Sequence, residues 1–232
     1  MLTMADKIIA FNAALEFTRP LPKGIGVMNP FRENKGAMEA SRAFYTKYYS
    51  DNAPRCLILG INPGRFGAGL TGVAFTDPKR LRDSCGITSY QGPDAHEPSS
   101  VFIYDMIQQY GGAAKFYSKF FITSICPLGF TATGKNGKEV NFNYYDSKEL
   151  TDSARDFMVE CLTKQLAFGI RRDVCFCLGT GKNEKHITAL NKEYGFFDKV
   201  VALEHPRYII QYKSKRMHDY IAKYLDCFAQ VS

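Results

Sequence analysis

Residues 57–75 read LILGINPGRFGAGLTGVAF. A run of branched apolar residues stops at Gly60, and a loop follows that carries Asn62, Pro63, Gly64, Gly67 and Gly69. The apolar run is continuous, without in/out alternation, which predicts a strand buried on both faces. Pro63 biases Asn62 away from helical geometry, so the amide is expected at the strand end on a stiff turn. The glycines let a flat ligand approach backbone amides closely. Alone, Asn-Pro-Gly at a strand end is an ordinary turn signal.

The same kind of strand recurs along the chain. RCLILG, KFFITSI, DVCFCLG and KVVALEH read as four strands. Helical spacing predicts helices in ADKIIAFNAAL, AMEASRAFYTKYYS, VFIYDMIQQY, SKELTDSARDFMVECLTKQLAFGI, GKNEKHITALNKEYG and SKRMHDYIAKYLDCF. TRPLPKGIGVMNPF and TATGKNGKEVNFNYYD (residues 131–146) read as loops from their Pro, Gly and Asn content. The alternation predicts an α/β fold: a three-layer sandwich around a central, mostly parallel four-stranded sheet. The chain is expected to form one domain over residues 1–232, with the helical segment 1–50 packed on it. Ligands of such sheets bind beyond the carboxyl ends of the strands. Three of those ends are chemically unusual: Gly60 to Gly64, Ser124 to Pro127, and Glu204 to Arg207.

The 232 residues are 45% hydrophobic, enough for a full core, and the net charge of +7 favours polyanionic partners. Seven cysteines lie mostly in apolar runs without a Cys-x-x-Cys pair, which reads as reduced, buried thiols. No ligand cluster suggests a metal, and no cofactor is expected. The start MLTMADKIIAF lacks a signal-peptide pattern, and no apolar run reaches membrane-spanning length, so a soluble intracellular protein is expected. The glycines fit neither a phosphate loop, for want of Lys-Ser/Thr, nor a dinucleotide fingerprint, since Pro63 intervenes and Gly60 and Gly64 are too far apart. An esterase reading lacks its Gly-x-Ser-x-Gly elbow.

GINPGRFGAGLTGVAF resembles the first motif of the single-strand-selective monofunctional branch of the uracil-DNA glycosylase superfamily, G-M-N-P-G-P-F-G-x-x-x-T-G-V-P-F. Gly60, Asn62, Pro63, Gly64, Phe66, Gly67, Thr71, Gly72, Val73 and Phe75 fall at the same spacing. EHPRYIIQY is similar to the family's His-Pro-Ser-Pro segment, and TSICPLGF and CLGTGKNEKH fall in order between them. The resemblance, over about residues 55–215, implies a DNA glycosylase that starts base excision repair on DNA holding a deaminated base, most often uracil. It implies that Asn62 orients the attacking water and that His205 stabilises the departing base. It also implies that Phe75 stacks on the flipped base while Ile61, Pro63, Gly64 and neighbouring amides line the pocket. Without the resemblance, Phe75 is core and a His before Pro is a strand terminator.

Two departures from the pattern bear on function, one at Ser124 and one after His205-Pro206. Ser124 stands where relatives have an Asn that reads the uracil edge, and one hydroxyl cannot replace an amide's donor and acceptor. Asn141 or Asn143 is the candidate substitute. Arg207 and Tyr208 replace the small residues after His-Pro. The apolar wedge that fills the vacated duplex is expected at Ile209, or at Arg207 or Tyr208 if the segment is shorter. Arg65, Lys213, Lys215 and Arg216 are candidate phosphate contacts, a solvated basic face being the alternative. No lysine falls within the matched motifs at a position to form a Schiff base, so no lyase step is expected. A monomer without an obligate protein partner is expected, cytoplasmic and at the nucleoid in a bacterium or nuclear in a eukaryote. The competing reading is a catalytically silent DNA-binding module that recognises damaged bases.

Overall fold

The computed structural model describes residues 1–231. In chain order the elements are α1 (Met4–Ala14), β1 (Ile25–Met28), α2 (Pro30–Glu33), α3 (Lys35–Tyr48), β2 (Arg55–Gly60), α4 (Ala68–Thr71), α5 (Pro78–Asp83), α6 (Pro98–Tyr110), α7 (Ala113–Tyr117), β3 (Phe120–Ser124), β4 (Gly129–Thr133), β5 (Glu139–Phe142), α8 (Lys148–Leu166), β6 (Ile170–Leu178), α9 (Lys182–Tyr194), β7 (Lys199–Leu203), α10 (Pro206–Tyr212), a 3₁₀ turn (Ser214–Arg216) and α11 (Met217–Ala229).

The four apolar runs pair in the order β3-β2-β6-β7, and every pairing is parallel. β2 is buried along its whole length, as a central strand covered on both faces must be. Successive side chains on β3 show the two covering layers. The Phe120 ring lies 4.6 Å from Phe228 of α11, and the next residue, Phe121, lies 5.7 Å from Tyr49 and 6.2 Å from Tyr45 at the end of α3. The period of two along a strand thus sends neighbouring aromatics into opposite halves of the core. Met4 and Ile8 of α1 are buried in the same apolar cluster as β2 and β3.

A second sheet, β1-β4-β5, is antiparallel throughout. Two segments read as loops therefore contain strands. IGVM forms β1, and the 131–146 segment is mostly a hairpin whose turn closes with Gly134 N–H donating to Lys138 O at 2.7 Å. Most of their residues are only partly covered, and β5 (EVNF) is exposed or half-buried along its length. A strand without a buried face has no apolar signature to read. α10 is a further helix missed from sequence.

The chain between the sheets fixes their relation. Beyond the end of β3, Ile125 N–H donates to Gly60 O (3.1 Å) and Cys126 N–H donates to Ile61 O (3.2 Å). Pairing with β2 thus continues one step past both strands and brings the hairpin against the first motif. All seven cysteines are free, and six are buried, including Cys175 and Cys177.

Candidate active site

A cleft of about 400 Å³ opens at the carboxyl edge of the parallel sheet. Because β2, β3 and β7 run in the same direction, their three unusual ends meet there: Ile61 to Gly64, Ser124 and His205 all line it.

Asn62 is held by the hairpin. Its Nδ2 donates to Phe142 O at 3.2 Å, and its Oδ1 accepts from Tyr144 N–H at 3.1 Å. A main-chain acceptor on one side and a main-chain donor on the other fix which way the amide points. Nδ2 also reaches Pro63 O at 3.4 Å, while Oδ1 keeps a lone pair for a molecule in the cleft. The motif's Thr71 holds the loop beyond: its hydroxyl donates to Thr76 O (2.6 Å) and accepts from Val73 N–H (3.2 Å).

His205 is the N-cap of α10. Its Nδ1 accepts from Arg207 N–H at 3.1 Å, and Pro206 occupies the first helical position, where no N–H is needed. A ring that accepts at Nδ1 carries its proton on Nε2, so the cleft receives a donor. Burial, aided by the nearby Arg207 charge, lowers its pKa to about 4, so the neutral imidazole is the form present near neutrality. Glu204 faces elsewhere, paired with Lys223 at 2.8 Å.

Phe75 packs against His205 and the end of β2. Its ring centroid is 5.7 Å from that of His205, and a Cβ at Gly60 would lie 2.8 Å from the same ring, so glycine is required at the strand end. Phe75 has φ of +54°, unusual for a residue with a bulky side chain and an instance of strain held at a candidate site.

The other expected residues divide. Asn141 and Asn143 line the cleft, and Asn141 Oδ1 accepts from Arg65 N–H at 3.1 Å. Arg207 and Tyr208 are exposed on the rim. Ile209 is fully buried on the inner face of α10, so the wedge expectation is corrected: a side chain in the core cannot enter a duplex. Arg65 turns its guanidinium to Glu139 (3.6 Å) and to the Phe66 ring, away from the role of a free phosphate contact. Lys213 and Arg216 lie outside the cleft lining, and Arg216 pairs with Asp219 at 2.8 Å. Sequence reasoning missed Glu97, Tyr145 and Lys182, which also line the cleft, the last with its Nζ 5.6 Å from the centre of the Tyr145 ring. Glu97 directly precedes Pro98, a helix-start signal that marks a cap position and not a cleft residue. Among the described residues no cluster suited to a metal occurs, and no helix is long and apolar enough to cross a membrane.

An all-parallel sheet whose strand ends bring a clamped amide, a neutral imidazole and an aromatic ring to one cleft defines an α/β protein with its candidate site at the carboxyl edge of the sheet. Comparison with known proteins gives the family. Residues 46–229 match the model of the uracil DNA glycosylase superfamily, and the chain belongs to it. Its likeness within the superfamily is to the single-strand selective monofunctional (SMUG) type. The uracil-DNA glycosylases of that name from Rattus norvegicus and Mus musculus are each 28% identical over 188 residues, covering 72% of this chain. The match spans 66% of the length of those relatives. The crystal structure of wild-type Pedobacter heparinus SMUG2 is 56% identical, with a TM-score of 0.96 over 99% of this chain and 98% of that one.

Proposed function

We propose that the protein is a monofunctional DNA glycosylase that takes a deaminated base, uracil first, into the cleft and hydrolyses its bond to the sugar. The observation that carries this is the pairing, across one cleft, of Asn62 held between main-chain groups and His205 held as a helix cap. Extrusion from the stack is needed because the bond is out of reach inside a duplex. Phe75 offers a stacking face for the flipped base, a contact of about 1–3 kcal/mol in such sites. His205 Nε2–H donates to the oxygen on which negative charge grows as the base departs. A donor already in place contributes about 3 kcal/mol at comparable centres. Asn62 orients water toward C1′. The substrate on this reading is DNA, approached by a chain of net charge +7.

Excess protein is incubated with labelled single-stranded or duplex oligonucleotides carrying one uracil, then treated with alkali. Strand cleavage only after alkali is the expected result. Cleavage without alkali would give Lys182 a covalent role and replace the monofunctional assignment. Binding without cleavage on any deaminated base would leave a silent DNA-binding module.

A further inference from the structure

The glycines of the first motif have a neighbour that the chemistry above does not use. A Cβ at Gly67 would stand 2.0 Å from Glu97 Oε2, and one at Gly64 would stand 3.7 Å from Oε1 and 3.3 Å from Asn141 Nδ2. The loop lacks side chains here because the Glu97 carboxyl lies over it.

Glu97 is pinned by its main chain. Its N–H donates to Asp77 Oδ2 (3.0 Å), and its carbonyl accepts from Ser100 N–H (2.9 Å) and Ser100 Oγ (2.7 Å). It occupies the N-cap position of α6, yet its side chain makes no capping bond. The carboxyl extends into the cleft wall instead, where Oε2 is buried without a hydrogen-bond partner. An unpaired buried carboxyl oxygen is costly, and such groups concentrate where chemistry needs them.

The reaction needs a proton acceptor. Asn62 cannot be one, because an amide does not hold a proton at neutral pH. His205 cannot be one either, since Nδ1 is occupied by Arg207 N–H and Nε2 is a donor. We propose that Glu97 accepts the proton of the water that Asn62 orients. The inference rests on the glycosylase reading. In the step, the water oxygen bonds to C1′ as the C1′–N bond breaks. The electron pair of that bond leaves with the base, whose anion His205 stabilises. The water's proton passes to the Glu97 carboxylate, directly or along one hydrogen-bonded water.

The surrounding charges suit this task. Asp77 lies at the start of α5, with His96 (3.4 Å) and Arg80 (3.5 Å) against its carboxylate. Arg207 comes from α10, which packs on α6, and Arg65 from the motif loop has its Nε buried without a partner. Burial first, then the Asp77 charge, push the Glu97 carboxyl up to about 7, with Arg207 opposing. A base poised there is ionised in part at neutrality and strong enough to take the proton.

The test is single-turnover cleavage of a uracil-containing single strand between pH 5 and 8.5. It is run with wild type, Glu97→Gln and Glu97→Asp, alongside binding to the same strand with a non-hydrolysable 2′-fluoro-arabino uridine. The wild-type rate is expected to rise with pH through about 7, and His205 does not titrate in that window. Glu97→Gln is expected to abolish the rise and lower the plateau by roughly 10²–10⁴-fold with analogue binding kept within a few-fold. Glu97→Asp keeps a carboxylate and is expected to restore the rise with part of the rate. A Glu97→Gln rate within threefold of wild type, an unchanged pH profile, or equal losses of rate and binding would each overturn the inference. Should Glu97→Gln not fold, a Glu97→Asp profile without the rise does the same. A wild type that cleaves nothing removes the glycosylase reading as well, and is told apart by that.

Discussion

At the scale of single residues, His205 performs two tasks that substitution can separate. It caps α10 and presents Nε2–H to the cleft. Removing both functions with His205→Ala is expected to slow single-turnover cleavage roughly 10²–10³-fold and to cost about 1 kcal/mol of stability. Asn is a good helix cap, so His205→Asn is expected to recover the melting temperature without recovering the rate; parallel thermal melts and cleavage assays check this. Asn62 is bound by its surroundings to remain an amide. Asn62→Asp would set a carboxylate oxygen against Phe142 O, where Nδ2 now donates at 3.2 Å. An opposed acceptor in a partly buried site is expected to cost about 1–3 kcal/mol, read by denaturant unfolding at pH 7. The roles proposed for these two residues can be read in the sequence only through resemblance to a long motif with fixed spacing. The role of Glu97 cannot, because its significance arises from folding α6 back over the motif loop.

At the scale of elements, legibility followed burial. β2, β3, β6 and β7 are apolar runs because both of their faces are covered, and each was read correctly. β1 and β5 have no fully buried residue, and β4 trails into an exposed end, so composition there resembled a loop. Yet this sheet supplies both main-chain partners of Asn62 from β5 and the residues just after it. α10 escaped notice because a His before Pro reads as a strand terminator, whereas it is a cap followed by a first-position proline. Once α10 is a helix, the fates of its side chains differ. Ile209→Ala is expected to destabilise the fold by about 2–4 kcal/mol through a core cavity and to leave the DNA affinity of the folded protein unchanged. Tyr208→Ala is expected to leave stability within about 0.5 kcal/mol and to weaken duplex binding. Equilibrium unfolding and fluorescence anisotropy on both variants decide between the two placements of the wedge.

At the scale of the whole molecule, the cleft sets two titrations against each other. The folded pKa of His205, about 4, lies below its ordinary 6.5. On acidification the unfolded chain takes up that proton first, so this contribution to stability is intact above pH 6.5 and is lost as pH falls toward 4. The folded pKa of Glu97, about 7, lies above its ordinary 4.5. Its contribution is present below pH 4.5 and is lost as pH rises through 7. The two slopes oppose each other between about pH 4.5 and 6.5. Glu97→Gln is therefore expected to gain stability over wild type progressively as pH rises from 4.5 to 7. His205→Asn is expected to gain over wild type as pH falls from 6.5 to 4. Melting temperatures of the three proteins across that range test both signs.

The capping bond of His205 has a mechanical consequence. The imidazole is fastened to the first turn of a helix whose next exposed residues, Arg207 and Tyr208, stand on the rim of the cleft. The imidazole and the rim therefore belong to one helix, which starts just after β7 ends at Leu203. On the proposed glycosylase reading, a DNA strand seated on the rim would set the position of the imidazole as well. Discrimination between right and wrong substrates would then be expected in the speed of bond breaking as well as in the tightness of grip.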